Sequence, residues 1–316
     1  MNIESLSAWI IDSMTQSFNP QLFMPIRQIT IIGTGLIGGS FGLASKKSGF
    51  SGRIIGCDRA PVLEQALKIG TIDSAQTDPI EAVRGSQIIL LATPVGAIIE
   101  LIGRLGPALP PDALLTDIGG TKTEIMAQAA KVFGGSVGQR FLGGHPMAGK
   151  ERSGVEMAAP DLFQGATWFV APSSGQKMDE GLIGEFLVCI AKIGADIETI
   201  DVAEHDRLCG WISHLPQMLS TGLAAALVEE FGEDVSLLEA GGRALREMTR
   251  ISASPYGIWR DVMLTNKKNV GEALLKLEQK LAHIRENLDT RGLEEEFERA
   301  HKLKKISPGK HGGAGN

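Results

Sequence analysis

The chain has 316 residues, of which 31 are Lys or Arg, 37 are Asp or Glu and 43% are hydrophobic. At about 100–200 residues per domain, this length predicts two domains, each with a core of its own. The charged and apolar fractions are ordinary for a folded chain and exclude disorder as its main character. A net charge of −6 with only 5% aromatic residues argues against nucleic acid or an anionic membrane as a partner.

Cysteine spacing and hydropathy indicate the compartment. Cys57, Cys189 and Cys209 lie far apart and form no CxxC pair, so neither a disulfide framework nor a zinc site is expected. Apolar runs fall short of the roughly 18 residues that a membrane span needs. The first basic residue is Arg27, which is unlike a signal peptide. We therefore expect a cytoplasmic protein without a membrane partner.

Residues 1–24 form a predicted N-terminal extension, to which we assign no chemistry. From Arg27 onward, short apolar runs alternate with helical stretches, a pattern typical of a parallel sheet covered on both faces. We predict that residues 25–201 form a doubly wound α/β domain. Its predicted strands are Ile29–Ile32, Arg53–Cys57, Gln87–Ala92, Leu114–Asp117, Phe141–Gly143, Thr167–Val170 and Asp196–Ile200.

The strand pattern stops after Asp201, and residues 202–306 are predicted to be all-helical. The predicted helices are 203–230, 234–250, 257–289 and 292–305. In the third, apolar residues from Val270 to Leu288 recur at steps of four and three, which makes a seam that another helix must cover. Packing within the chain and a homodimer interface are both consistent with this seam. The Gly-rich tail, residues 307–316, is predicted to be disordered.

A dinucleotide-binding turn follows the first predicted strand. Gly33, Gly35 and Gly38 form a GxGxxG pattern between a strand and an apolar helix, and Asp58 follows the next strand. In such a turn the glycines let backbone N–H groups approach a pyrophosphate at the positive end of the helix. Asp58 favours NAD over NADP, although the basic Arg59 beside it favours the opposite. The predicted cofactor residues are Gly33, Gly35, Leu36, Ile37, Gly38, Asp58, Arg59, Thr93 and Pro94.

A second glycine-rich loop carries a histidine at the same edge of the sheet. His145 follows the strand that begins at Phe141, and an imidazole near neutrality suits proton abstraction during hydride transfer. A role in bracing the loop remains the alternative.

The helical half supplies two further histidines and a group of arginines. His205 and His214 are nine residues apart, which places them on opposite sides of a straight helix. We assign His214, beside the helix-disturbing Pro216, to the cavity and His205 to packing between domains. Three arginines, Arg243, Arg246 and Arg250, either complement a helix dipole or clamp a carboxylate.

Taken together, five stretches resemble the bacterial prephenate dehydrogenase (TyrA) family, which includes arogenate and cyclohexadienyl dehydrogenases. They are ITIIGTGLIGGS, LLTDIGGTKTEI, FLGGHPMAGKERSGVE, EHDRLCGWISHLPQM and REMTRISASPYGIWRDV, in this order between about residues 28 and 270. The resemblance implies a Rossmann-type domain followed by a helical dimerisation domain, in a homodimer. It also implies NAD-dependent oxidative decarboxylation of prephenate to 4-hydroxyphenylpyruvate in tyrosine synthesis, with NADP the less favoured cofactor and no metal.

The resemblance also assigns roles to residues. The family's catalytic histidine falls on His145 and its carboxylate-binding arginine on Arg250, and the substrate is a small dicarboxylate. Some members have a serine that orients the catalytic histidine, whereas this chain has Gly120, so that Thr121 or a water is expected to take its place. The residues assigned to the substrate are Arg250, His214, Glu151, Gly120, Thr121 and Trp259.

Three alternatives stay open at this point. Arogenate differs from prephenate by an amine in place of the keto group, and the sequence does not separate the two. Another hydroxyacid or imine reductase on the same architecture would carry a Lys or Asp on the linking helix instead of a histidine loop. A non-catalytic NAD-sensing module would not need His145 or Arg250.

Overall fold

The computed structural model describes residues 26–232 and 240–306, with side chains through residue 303. The predicted extension at residues 1–24 and the predicted tail at residues 307–316 lie outside the described residues. The chain forms two compact units, which divide between Lys267 and Lys268. The predicted boundary at residue 201 therefore lies inside the first unit and stays a prediction.

An eight-stranded sheet forms the centre of the first unit. Its strand order is β3-β2-β1-β4-β5-β6-β7-β8, with a topological switch at β1 and β4. The strands are β1 Gln28–Ile32, β2 Arg53–Cys57, β3 Ser74–Gln76, β4 Ile88–Leu91, β5 Leu114–Asp117, β6 Phe141–Pro146, β7 Thr167–Ala171 and β8 Asp196–Thr199. All seven predicted strands are confirmed: two match at both ends, and the ends of the other five differ by at most three residues.

Two features of the sheet differ from the prediction. The short polar strand β3 was not predicted, because its three residues carry no apolar run. The sheet is also not wholly parallel, because β7 runs antiparallel to β6. The chain between them, residues 147–166, contains only the short 3-10 helix Val155–Met157. Without a crossover helix the chain does not return to the starting edge, so it enters β7 in the opposite direction.

Helices pack on both faces of the sheet because its central strands are buried on both sides. All four residues of β4 are buried, and they alternate between two cores: Ile88 and Leu90 in one, Ile89 and Leu91 in the other. The helices of this part are α1 Leu36–Lys47, α2 Ala60–Ile69, α3 Pro79–Ala82, α4 Val95–Leu105, α5 Thr123–Phe133, α6 Val137–Arg140 and α7 Gly181–Lys192.

The rest of the first unit is helical, as predicted, but its helices are interrupted. The predicted helix 203–230 consists of α8 Val202–Cys209, a π-helical turn Gly210–His214 and α9 Leu215–Phe231. The predicted helix 234–250 begins outside the described residues, and its described part is α10 Gly242–Thr249 with a 3-10 turn Arg250–Ala253. The predicted helix 257–289 is divided at Asn266 into α11 Tyr256–Thr265 and α12 Lys267–Glu286.

The second unit contains most of α12 and α13 Arg291–Ile306. Lys280 of α12 and Glu296 of α13 form an ion pair of 2.9 Å. On the predicted seam of α12, Leu281 is 52% exposed and Leu288, just beyond the helix, is 65% exposed. The described chain therefore leaves part of this seam uncovered.

Candidate active site

The glycine turn has the geometry that a dinucleotide site needs. Gly33 has φ +94°, and a Cβ on it would collide with the carbonyl oxygen of Ala92. A Cβ on Gly38 would collide with the carbonyl oxygen of Gly33. A Cβ on Gly35, the N-cap of α1, would meet nothing within 4 Å. The protein's own packing thus requires glycine at residues 33 and 38, whereas Gly35 faces open space.

Asp58 lies directly after β2 and holds the backbone of this turn. Its Oδ2 accepts a hydrogen bond of 2.8 Å from the Thr34 N–H, and its Oδ1 accepts one of 2.7 Å from the Arg59 N–H. The Arg59 side chain is exposed, and Arg59 is the N-cap of α2. An acidic group therefore stands at the end of β2, where the ribose of a dinucleotide lies in this architecture.

A cavity of about 540 Å³ opens at the carboxyl ends of β1, β4, β5 and β6. Of the predicted site residues, those that line it are Gly35, Leu36, Ile37, Thr93, Pro94, Gly120, His145, His214 and Trp259. The hydroxyl of Thr93 is buried and has no hydrogen-bond partner among the described residues. An unsatisfied buried hydroxyl in a cavity wall is suited to bind a polar ligand group.

The other predicted residues lie outside the cavity lining. Gly33 and Gly38 form the turn behind it, and Asp58 and Arg59 follow β2. Arg250 is 59% exposed and forms an ion pair of 3.1 Å with Glu151, which is 43% exposed. A hydrogen bond from its own backbone N–H is the largest effect on the Glu151 carboxyl and lowers its pKa; burial opposes this, and the Arg250 guanidinium adds to the lowering. Arg243 bonds Glu247 of its own helix at 2.6 Å.

His145, on β6, is half-buried and lines the cavity. Its Nδ1 lies 2.9 Å from Nε2 of His205. Burial, followed by the neighbouring His205, Lys122 and His214, lowers the pKa of His145 well below its usual value. The imidazole is therefore neutral near pH 7 and has one nitrogen lone pair available to accept a proton.

His205, which was predicted to pack between domains, forms hydrogen bonds at the edge of the cavity. It is completely buried on α8, and its Nδ1 lies 2.8 Å from Oδ1 of Asp206. The Asp206 carboxylate also accepts hydrogen bonds from the backbone N–H groups of Lys122 (2.7 Å) and Thr123 (2.9 Å). Burial raises the pKa of Asp206, but the hydrogen bonds from His205, Thr123 and Lys122 outweigh it, and the net shift is downward.

His214 reaches the cavity through the π-helical turn Gly210–His214. Pro216 has no N–H with which to bond the carbonyl of Ile212, and a π turn commonly forms where such a bond is missing. The turn accommodates one extra residue, so His205 and His214 lie on closer faces than a regular α-helix would give. His214 lines the cavity, whereas His205 is not among its lining residues.

The surroundings of His214 fix its ring. Its Nδ1 lies 3.0 Å from Nδ2 of Asn266, and the Trp259 ring packs edge-on with centroids 6.1 Å apart. Burial lowers the pKa of His214 to about 4, although the charge of Asp206 opposes the shift. Asn266 also donates a hydrogen bond of 2.8 Å to the Asp206 carbonyl, which explains why the predicted helix 257–289 breaks at this residue.

Thr121, one of the two expected substitutes for the family's serine, makes its hydrogen bond elsewhere. A Cβ at Gly120 would lie 3.9 Å from Nε2 of His145 and 4.0 Å from Nε2 of His214. The hydroxyl of Thr121 instead bonds the hydroxyl of Thr265 at 2.8 Å. The Thr121 hydroxyl therefore bonds Thr265 and not His145, whose ring is hydrogen-bonded to His205.

Several residues that the sequence reasoning missed support the cavity. Asp117 is completely buried at the end of β5, where its carboxylate pairs with Lys122 and accepts hydrogen bonds from Gly119 N–H (2.7 Å) and Gly144 N–H (3.1 Å). It thereby joins the loop before α5 to the residue preceding His145. Two exposed cations that were not predicted, Lys150 and Arg152, also line the cavity. The sequence signal that could have identified Asp117 is an acidic residue at the end of an otherwise apolar strand.

Nδ1 of His145, Nε2 of His205 and Sγ of Cys209 lie within 4.8 Å of one another and are all atom types that bind metals. The 2.9 Å hydrogen bond between the two imidazoles accounts for this arrangement, and a metal ion would have to replace it.

None of the described helices is long and apolar enough to cross a membrane.

A dinucleotide turn and a neutral imidazole at one sheet edge define the class of protein, a dinucleotide-binding α/β protein of the dehydrogenase type. The comparisons agree with this class. Family models described as the nucleotide-binding domain and the dimerization domain of prephenate dehydrogenase match residues 41–198 and 201–303. The chain belongs to the prephenate dehydrogenase family.

Individual relatives lead to the same family. The prephenate dehydrogenase of Lactococcus lactis is 34% identical over 299 residues, which cover 88% of this chain and 77% of that protein. A structure of prephenate dehydrogenase from A. aeolicus in complex with hydroxyphenyl propionate and NAD+ has a TM-score of 0.77 and 31% identity, covering 90% of this chain and 98% of the other. A Synechocystis arogenate dehydrogenase structure has a TM-score of 0.66 and 26% identity, covering 89% and 97%.

Proposed function

We propose that this protein is an NAD-dependent oxidoreductase that converts prephenate to 4-hydroxyphenylpyruvate and CO2, a step of tyrosine synthesis. The observation that carries the proposal is the position of His145: a neutral imidazole at the end of β6 lines the same cavity as Gly35 and Thr93 of the dinucleotide half. Membership in the prephenate dehydrogenase family and the relative from A. aeolicus, solved with NAD+ and hydroxyphenyl propionate, supply the substrate class.

The residues present fit NAD. The open space beside Gly35 suits a pyrophosphate, and the unsatisfied hydroxyl of Thr93 suits a polar group of the nicotinamide. The carboxylate of Asp58 would accept hydrogen bonds from ribose hydroxyls and repel a 2′-phosphate, which favours NAD over NADP. When bound, NAD+ supplies the hydride acceptor.

His145 acts as the general base in this proposal. It accepts the proton of the ring hydroxyl while the carbon that bears the hydroxyl loses its hydride. The forming ketone withdraws electrons from the ring, the bond to the ring carboxylate breaks, CO2 leaves, and the product becomes aromatic. His214, whose Nε2 lies beside the same Gly120 position as Nε2 of His145, would contact the substrate. Arg250 is assigned to a substrate carboxylate, for which it would exchange its exposed ion pair with Glu151.

Steady-state kinetics with prephenate and arogenate, each crossed with NAD+ and NADP+, test this proposal. We expect prephenate with NAD+ to give the highest kcat/KM. A preference for arogenate, the substrate named for the Synechocystis relative, would replace the substrate but not the reaction. No hydride transfer with either substrate would favour a non-catalytic NAD-binding module.

A variant separates chemistry from binding. His145→Asn should lower kcat by about 10²- to 10⁴-fold, the usual contribution of a general base, with NAD+ affinity unchanged. NADH production equal to that of the wild type would remove His145 from the mechanism.

We also propose that the protein is a cytoplasmic homodimer. The partly exposed seam of α12 and the match to a family model described as a dimerization domain support self-association. The free thiols of Cys57, Cys189 and Cys209 support a reducing compartment. Light scattering coupled to gel filtration should give about twice the chain mass of 33.6 kDa, and Leu281→Glu should shift the protein toward the monomer.

A further inference from the structure

We propose that His205 and Asp206 are positioning residues that hold His145 in the one neutral tautomer able to act as a base toward the cavity. The inference rests on the proposed function for its kinetic consequence. Its structural content, the position of one proton on His145, follows from hydrogen bonds within the protein and is measurable without substrate.

The order of donors and acceptors starts at Asp206. An ionised carboxylate only accepts hydrogen bonds, and Oδ1 of Asp206 lies 2.8 Å from Nδ1 of His205. The proton of His205 therefore lies on Nδ1. Burial, which is the largest effect on this ring, lowers the pKa of His205, so the ring carries only that one proton and its Nε2 has a free lone pair.

The free lone pair on Nε2 of His205 determines which nitrogen of His145 carries the proton. Nε2 of His205 lies 2.9 Å from Nδ1 of His145, and a nitrogen lone pair at that distance accepts a hydrogen bond. The His145 proton must then lie on Nδ1. In a neutral imidazole this leaves Nε2 of His145 unprotonated. A Cβ built on Gly120 in the cavity wall would lie 3.9 Å from this Nε2, so the free lone pair is on the side where a substrate hydroxyl would approach.

The hydrogen-bonded series Asp206–His205–His145, here called the relay, is fixed at Asp206. The two oxygens of Asp206 accept hydrogen bonds from the N–H groups of Lys122 (2.7 Å) and Thr123 (2.9 Å) at the start of α5, a helix of 11 residues. The positive end of that helix stabilises the ionised carboxylate. His205 is completely buried between Asp206 and His145, with the Phe169 ring edge-on at 5.7 Å. The His205 ring is therefore held between an anchored carboxylate and the His145 ring.

Proton transfer leaves this arrangement intact. When Nε2 of His145 accepts the hydroxyl proton, Nδ1 keeps its own proton and its hydrogen bond to His205. The new positive charge is then separated from the Asp206 carboxylate only by the His205 ring. Sγ of Cys209 lies 3.8 Å from Nδ1 of His145 and is a much weaker partner than Nε2 of His205.

Nitrogen-15 NMR of the full-length protein labelled at histidine tests the tautomer directly. The His145 resonances are assigned by their loss in His145→Asn. In the wild type without ligands at pH 7.5, we expect Nδ1 to be protonated and Nε2 to have the shift of an unprotonated imidazole nitrogen. In His205→Leu, we expect a substantial fraction of the rings to carry the proton on Nε2. A wild-type ring protonated on Nε2, or the same tautomer in both proteins, would overturn the proposal.

Kinetics provide the second measurement. His205→Leu should lower kcat about 10- to 10³-fold, within the range that general-base catalysis supplies, with the KM values for prephenate and NAD+ changed less than threefold. His205→Gln retains an amide oxygen that accepts from Nδ1 of His145 and should recover at least tenfold of the loss. The matched control is Cys209→Ala, an equally buried neighbour outside the relay, for which kcat should stay within threefold.

The outcomes separate the two hypotheses. If the wild type does not oxidise prephenate but His145 carries its proton on Nδ1, the proposed function fails and the relay stands. If the wild type is active but His205→Leu keeps full kcat, the relay has no role in positioning the base. Equal losses of kcat in His205→Leu and Cys209→Ala would assign the effect to disturbed packing. Should His205→Leu not fold, the wild-type spectrum and His205→Gln still decide the question.

Discussion

Acid should destabilise the fold through its buried histidines, and His214 allows the size of the effect to be calculated. Burial lowers the pKa of His214 from 6.5 to about 4. The unfolded chain therefore takes up a proton that the folded chain excludes. The stability that this group contributes is present above pH 6.5 and is lost as the pH falls from 6.5 toward 4. Its loss is about 2 kcal/mol at pH 5 and about 3 kcal/mol at pH 4.

The assay is urea unfolding of wild type and His214→Asn between pH 7.5 and pH 4.5. The amide oxygen of asparagine keeps an acceptor for Nδ2 of Asn266, so the hydrogen bond to that side chain survives. Between pH 7 and pH 5 the wild type should lose about 2 kcal/mol more stability than the variant. His283→Asn, on the exposed side of α12, serves as the control and should follow the wild type. Parallel pH curves for wild type and His214→Asn would refute the reasoning.

Two further predictions concern the cofactor turn and the carboxylate site. Gly35→Ala should fold with wild-type stability but bind NAD+ at least tenfold more weakly, whereas Gly38→Ala should lower the free energy of unfolding, because of these two only the Cβ at residue 38 collides with the protein. Equilibrium dialysis measures the affinity and thermal melting measures the stability. Equal melting temperatures for the two variants would contradict this difference between the glycines. Arg250→Gln should raise the KM for prephenate by about one to two orders of magnitude, the scale of a lost charged hydrogen bond, and an unchanged KM would exclude Arg250 from the substrate site.

The sequence predicted the parts of the fold that depend on continuous apolar runs. Strands such as Leu114–Asp117 were placed correctly because a strand buried on both faces is apolar throughout. The reversal of β7 was not predictable, since strand direction depends on the loop before it and leaves no periodic pattern. The π turn before Leu215 was only partly predictable: Pro216 marked the disturbance, but the extra residue that turns His214 toward the cavity did not follow from the pattern.

The residues of the candidate site likewise divide into those that the sequence could predict and those that it could not. Residues that touch the cofactor turn or the cavity are embedded in local motifs, so Gly35 and His145 were predicted. His205 was assigned only to packing, because helical geometry gives the face of a residue but not its partner on another element. The hydrogen bond between His205 and His145 spans 60 residues of sequence, and such a contact forms only when the helical half packs on the sheet edge.

The groups at the helix N-termini along the sheet edge favour cofactor binding at α1. Helix α5 is capped by Asp206, and helix α4 by Asp261, which accepts a hydrogen bond of 3.0 Å from the Gly96 N–H. Both carboxylates come from the helical half, so they dock that half onto the sheet edge while neutralising two positive helix ends. Helix α1 has no acidic residue in its first turn and no side-chain cap at Gly35. Among the described residues, α1 is the one of these three helices without a carboxylate at its N-terminus, and a bound pyrophosphate would complete the set of three anionic caps.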